Sequence, residues 1–430
     1  MRLSLLGRAL GALLFAHLVV GAPLRAQDTT TRGVRIGLSY DPSTKPGVVV
    51  MPVTGARGDS IRAILQRDFD NGDRINAVVL DAASARDASR AAGPNWPLLA
   101  RLGAAAAVQV TPTATGFHVA VYNVATKQTA LVKDYVAPAD TRAWRASLHG
   151  IADELEEAFT GIRGIARTRV LFERGKRIWV VDSDGESAMP LTEAGTPVSP
   201  SWAPNGRMIA YSTYLPAGIS VMDLATGRSR VLVSGQGVYI SPIFTPDGTG
   251  VVYAHGTDEG VDLYTAALSG GGGRRLSVGR GSDNVSPSFS PDGRRIVFMS
   301  GRAGHPEIYT MDADGTNVDL LTPLEFGENA YRASPDWSPD GRLVAFQSQL
   351  AGTFQIYTIN LRDRSLKQLT SDGRNEDPSW APDGRHLTFV SNRTGTKQLW
   401  VLDIETGRSR QLTHGAAVRL PAWSPRLTTE

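Results

Sequence analysis

At 430 residues and 41% hydrophobic content, the chain has room for two domains and enough apolar material for a core in each. It has no cysteine, which excludes disulfides, Cys-ligated metals and thiol catalysis. The formal charge of +3 falls to zero once residues 1–26, with Arg2, Arg8, Arg25 and no acid, are set aside, so the balance points to neither nucleic acid nor an anionic membrane as partner.

Residues 1–26 read as a secretory signal. Arg2 and Arg8 flank a short apolar run from Ala9 to Val20, and small residues lead to a cleavage point after Ala26. The run is short for a membrane span, so no integral membrane segment is expected after cleavage. A polar N-terminal arm follows over 27–45. Within it Val34, Arg35 and Ile36 open a weakly alternating stretch compatible with a strand. Val48 to Val53 reads as a buried strand. Residues 59–69 read as a helix with Ile61, Ile64, Leu65 and Phe69 on one face. A strand is expected at 77–80, a short helix at 96–102, and strands at 105–110, 117–124 and 130–136. Asp140 is placed to N-cap a long helix whose apolar face is Trp144, Leu148, Ile151, Leu155 and Phe159. The order β-α-β-α-β-β-β-α predicts an α/β N-terminal domain over 34–162.

Beyond it one phrase recurs. Pro335-Asp336-Trp337-Ser338-Pro339-Asp340-Gly341 reads as strand, tight turn and second strand, with Gly341 free to take a positive φ. Its siblings centre on Trp202, Phe244, Phe289, Trp380 and Trp423, at successive spacings of 42, 45, 48, 43 and 43 residues. Each copy but the last is followed by two further strand patterns, such as 307–312 and 319–322. A period in the low forties with four strands per unit predicts an all-β propeller. The last copy has only an inner strand, and the three strands it lacks lie before the first copy, between 169 and 192. The expectation is six blades over 168–427, the ring closed by pairing the C-terminal strand with the first propeller strands.

The residues offer little for catalysis. There is no Gly-x-Ser-x-Gly elbow. The histidines, His17, His118, His149, His255, His305, His386 and His414, show no ligand spacing and read as surface or packing residues. Asp247, Asp292, Asp340 and Asp383 read as turn formers bonding nearby backbone N–H groups, against a competing calcium reading. The repeated Trp and Phe anchors read as inter-blade core. No cofactor is expected. The loops entering the inner strands gather at the ring mouth, and there the copies stop agreeing. They supply the candidate contact residues Gln236, Tyr239, Ser282, Asp283, Asn284, Asn329, Tyr331, Arg332, Arg374, Asn375, Glu376 and Arg419.

A signal, a small α/β domain and a six-bladed propeller of Pro-x-Trp-Ser-Pro-Asp-Gly repeats together resemble the TolB family of the Tol-Pal system. The local matches are Val34-Arg35-Ile36, Lys45 to Pro52, the junction Phe159 to Arg169, and the closure Pro421-Ala422-Trp423-Ser424-Pro425. The segment Arg74 to Asn95 and the Gly270 to Gly273 tract depart from the pattern. The resemblance implies a non-enzymatic, monomeric periplasmic scaffold. It implies that the propeller mouth binds the peptidoglycan-associated lipoprotein Pal, that the arm at Val34, Arg35 and Ile36 binds TolA, and that other outer-membrane or peptidoglycan-associated proteins are further partners. The role it implies is outer-membrane integrity and constriction at division. A propeller hydrolase or lyase and a small-ligand sensor stand as alternatives.

Overall fold

The computed structural model describes residues 45–90, 93–278, 282–323, 330–349 and 352–428. The stretch at Val34, Arg35 and Ile36, and all of the arm but Lys45, lie outside them, as does Asn329.

The α/β region runs β1 (Gly47–Val50), α1 (Gly58–Asn71), β2 (Asn76–Val78), α2 (Ala82–Ala88), β3 (Ser89–Arg90), β4 (Gly93–Pro94), α3 (Trp96–Arg101), β5 (Ala106–Pro112), β6 (Gly116–Asn123), β7 (Gln128–Val136) and α4 (Thr141–Thr160). Its sheet has the order β2-β1-β5-β6-β7, parallel across β2, β1 and β5 and antiparallel beyond. β1 is an interior strand, apolar on both faces because both are covered. Val48 and Val50 pack with Ile61, Leu65, Leu148 and Leu155 of α1 and α4. Val49 and Met51 pack with Leu98 and Leu99 of α3. The Asp140 carboxylate caps α4, accepting from the Arg142 and Ala143 N–H groups at 3.0 and 2.9 Å. Gly161 ends the helix in the left-handed region, φ 77°, donating to Glu157 O. The sequence reading has no helix where α2 lies. Ala82–Ala88 lacks a long apolar face, and its one local signal is Asp81, whose Oδ1 accepts from Ser84 N at 2.6 Å.

Six four-stranded sheets follow. Blade 1 joins Arg419–Trp423 to Arg169–Arg174, Arg177–Asp182 and Met189–Pro190, with Trp423 opposite Val170 and Ala422 opposite Leu171. The inner strands of blades 2 to 6 are Pro197–Trp202, Val238–Phe244, Asn284–Phe289, Tyr331–Trp337 and Asn375–Trp380. The ring therefore closes as expected and has no open sheet edge at its seam. Trp423 Nε1 donates to Thr168 Oγ1 across that seam at 2.8 Å.

The repeated residues do what the repeat demands. Asp247, Asp292, Asp340 and Asp383 accept from the N–H two residues on at 3.0–3.1 Å. Gly341 takes φ 74°. Trp337, Trp380, Trp423 and Phe244 are buried, while Trp202 and Phe289 are half-buried. The blades are also stitched by polar bonds. Trp337 N donates to Ser288 Oγ, Trp380 N to Asp336 Oδ2 and Trp423 N to Ser379 Oγ, at 3.1, 2.7 and 3.1 Å. One recurring feature has no counterpart in the sequence reading. Ser199, Ser241, Ser286, Ser334, Asp377 and Leu420, each preceding a proline, take φ between 49° and 54° at a β-bulge in the inner strand.

Candidate functional site

The inner strands of blades 3 to 6 each run toward a Pro-Asp-Gly turn, and that of blade 2 toward Pro204-Asn205-Gly206. Those turns share one face of the ring with the turns between third and fourth strands. The loops entering the inner strands share the opposite face with the turns between second and third strands. The α/β region occupies the first face, against blades 6 and 1. Among the described residues the second face is free of it.

The described candidate contact residues, all but Asn329, lie on this free face and divide by burial. Gln236, Asp283, Tyr331 and Arg419 are exposed, and Arg374 is partly so. Leu215, 82% exposed, and Tyr214 and Val238 add apolar surface beside them. Tyr239, Ser282, Asn284, Arg332, Asn375 and Glu376 are buried. Tyr239 stacks on His255, ring centroids 4.2 Å apart. Asn284 Nδ2 donates to Asp262 Oδ1 at 3.0 Å, and its Oδ1 accepts from Arg302 at 3.0 Å. Asn375 repeats this, donating to Gln355 Oε1 at 2.7 Å and accepting from Arg393 at 3.1 Å. Arg332, 1% exposed, donates to Glu307 Oε2 and Pro323 O, both at 2.9 Å. Glu376 is ringed by Arg374 and Lys397. Burial opposes its charge, but those two cations hold its carboxyl below the usual range. These buried groups set the shape of the loops that present the exposed ones.

The channel at the ring axis, about 380 Å³, is lined by the bulged inner strands. It carries two carboxylates, both pushed up chiefly by burial, Asp336 to about 6. Both are bonded: Asp336 Oδ1 accepts from Ser288 Oγ at 2.9 Å and Asp377 Oδ1 from Ser334 Oγ at 3.1 Å.

The face bearing the α/β region is an ionic join. Arg74 bridges Asp383 of blade 6 at 3.0 Å and Glu156 of α4 at 3.5 Å. His386 Nδ1 meets Asp383 Oδ2 at 2.8 Å, and its Nε2 faces Asp73 Oδ2 at 3.4 Å. Arg408 pairs with Asp73 and Asp70. Toward blade 1, Arg145 pairs with Asp184 at 2.7 Å, and His149 Nδ1 meets Asp68 Oδ2 at 2.8 Å. Burial opposes charge on both histidines, yet the carboxylates beside them outweigh it and raise both. His149 and His386 are thus packing residues of an unusual kind, each seated among acids that come from distant parts of the chain. Two donor sets here have a metal-like grouping, Asp68–His149–Asp184 and Asp73–His386–Asp403. In both, the chain's own cations already hold carboxylates: Arg145 on Asp184, Arg385 on Asp403 at 2.6 Å, and Arg408 on Asp73 at 3.0 Å. The linker is held as firmly. Asp153 accepts from the Ala166 and Arg167 N–H groups at 2.6 and 3.0 Å, and Arg426 donates to Arg163 O and Pro382 O at 3.0 and 2.9 Å. Among the described residues no helix is long and apolar enough to cross a membrane.

The TolB beta propeller domain family matches residues 156–427. The Tol-Pal system protein TolB of Haemophilus influenzae is 28% identical over 209 residues, 44% of this chain and 48% of that protein. TolB of a Polaromonas species is 39% identical over 109 residues, 24% of this chain and 25% of that protein. The matches thus span about half the length of these curated relatives, or less. The crystal structure of TolB from Acinetobacter baumannii superposes with a TM-score of 0.77 at 24% identity, covering 90% of this chain and 98% of that one, which establishes the shared fold. Matched by the family over more than half of its length, with the six closed blades that the repeats require, the chain belongs to the TolB β-propeller family.

Proposed function

We propose that the chain is a non-enzymatic periplasmic scaffold of the Tol-Pal system. In this reading it binds Pal through the free face of the propeller and TolA through the arm at Val34, Arg35 and Ile36. The observation that carries it is the free face itself. That face is uncovered by the described residues of the α/β region and combines exposed aromatic and apolar groups, Tyr331 and Leu215, with the polar groups of Gln236, Asp283, Arg374 and Arg419. A few large anchors within a polar rim suit a protein partner. Tyr239, Ser282, Asn284, Arg332, Asn375 and Glu376 then act by holding the loops in shape.

The test is co-purification of residues 27–430 with Pal. Folded protein that fails to retain Pal overturns the proposal. Tyr331→Ala is expected to weaken capture by about 2 kcal/mol, roughly thirtyfold. Deleting 27–45 is expected to abolish TolA retention and leave Pal capture intact.

A further inference from the structure

The α/β region and the propeller leave a cleft of about 550 Å³ between the first turns of α4, linker residues 166–169 and the turns of blade 2. It lies on the face away from the loops assigned to partner binding. Four arginines line it: Arg142, Arg167, Arg169 and Arg207. Two carboxylates line it as well, and both are engaged. Asp140 caps α4, and Asp182 pairs with Arg169 at 3.0 Å and Arg145 at 3.8 Å. Arg142, Arg167 and Arg207 make no ion pair among the described residues.

Arg142 is the most exacting of these. Its Nε and Nη2 are buried without a hydrogen-bond partner, and Nη1 rests on Met189 Sδ. Burial first, then the neighbouring Arg169, push its guanidinium below its ordinary range. Burial lowers Arg167 in the same way. His149 supplies a further orphan. The ring is 2% exposed and lines the cleft, Nδ1 is held by Asp68, and Nε2 has no partner. Buried donors without acceptors, such as Arg142 Nε and Nη2 and an imidazole Nε2, are costly for a fold to keep. Here Arg142 and His149, with the half-buried Arg167, line one space of small-molecule size.

We propose that this cleft binds a small polyanion, a phosphate- or carboxylate-bearing molecule, through the Arg142 and Arg167 guanidiniums and His149 Nε2. A planar guanidinium donates to two such oxygens at once, which a lysine cannot do in the same fixed fork. Asp68 fixes the imidazole so that Nε2 faces the ligand. Arg207, exposed at the rim, makes the first contact.

The test is titration calorimetry and thermal unfolding of the chain lacking residues 1–26, with pyrophosphate and citrate as probes at matched ionic strength. One probe molecule is expected to bind per chain and to raise the melting temperature. A response to pyrophosphate alone identifies a phosphate ligand, and a response to citrate alone a carboxylate one. Arg142→Gln and Arg167→Gln are each expected to weaken binding by about tenfold or more. Neither should lower the melting temperature of the ligand-free chain, because the lost charge had no partner. Arg142→Lys, which keeps the charge and drops the planar fork, should weaken binding too, and Lys176→Gln on the free face should not. Absence of binding to both probes overturns the proposal, as does unchanged binding in the Arg142→Gln/Arg167→Gln double variant.

Discussion

Arg74→Met removes the cation that lies between the α/β region and blade 6. The guanidinium bridges Asp383 and Glu156, and the three side chains are 5%, 0% and 4% exposed. Taking one member from a buried ionic group costs about 3–5 kcal/mol, because the partner charge stays buried. Glu156 is spared, since burial pushes its carboxyl up to about 8 and it holds a proton at neutral pH. Asp383 is not. Burial opposes its charge, but His386 and Arg74 hold it well below the usual carboxylate range, so it remains ionised. It keeps His386 at 2.8 Å, which places the expected loss near the lower figure, about 3 kcal/mol. Adding Asp383→Asn removes the stranded charge and keeps the turn, as Asn205 shows in blade 2 by accepting from Arg207 N at 2.9 Å. The double variant is expected to recover to within about 1 kcal/mol of the parent. Urea unfolding followed by tryptophan fluorescence reads both variants, with limited proteolysis of the 161–167 linker reporting release of the α/β region. Equal losses in single and double variants would refute the reasoning, because the stranded carboxylate would then not be the source.

Glu156 also predicts a pH dependence. The folded chain keeps its proton up to about pH 8, whereas an unfolded glutamate releases it near 4.5, so stability falls as pH rises between those values, by up to about 1.4 kcal/mol per unit. Glu156→Gln should match the parent near pH 4.5 and exceed it at pH 8; parallel urea midpoints across the range would count against this. Gly164→Ala puts a Cβ 2.5 Å from Asp153 Oδ1 and 3.0 Å from Asp153 Cα, which should cost about 1–3 kcal/mol and speed tryptic cleavage at Arg163 and Arg167. Trp423→Phe deletes the bond to Thr168 across the seam and should lower stability by about 1 kcal/mol, read as a shift in the urea midpoint. An unchanged midpoint would mean that strand pairing alone pins the closure.

Much of the architecture was legible because it is written repeatedly. Six anchors in near-even register leave few alternatives to a ring, and the surplus strands before Trp202 give its closure. Asp140 and the spacing of Leu148, Ile151 and Leu155 mark α4 in the same local way. What escaped depends on partners far off in the chain. Asn284 and Asp283 look alike in a polar loop, but Asn284 is buried because Asp262 and Arg302 meet it there. His149 and His386 have no ligand spacing, and only the folded chain seats them among acids. The bulge residues were hidden for a different reason. A non-glycine residue before proline is normally extended, so a positive φ at Ser199 or Leu420 contradicts every local rule and is imposed by the ring.

The shared blade also sets an order of events during synthesis. The α/β region emerges first, but Arg74 and Asp73 meet their partners Asp383 and Arg385 309 and 312 residues downstream. Blade 1 lacks its inner strand until Arg419–Trp423 arrives. Seating of the first-made region is therefore among the last steps of assembly, slow in the way that distant contacts are slow. A chain truncated before blade 6 keeps the contacts to blade 1, Arg145 to Asp184 among them, but lacks Asp383, Arg385 and Arg408, so a fully seated α/β region certifies that blade 6 has been made.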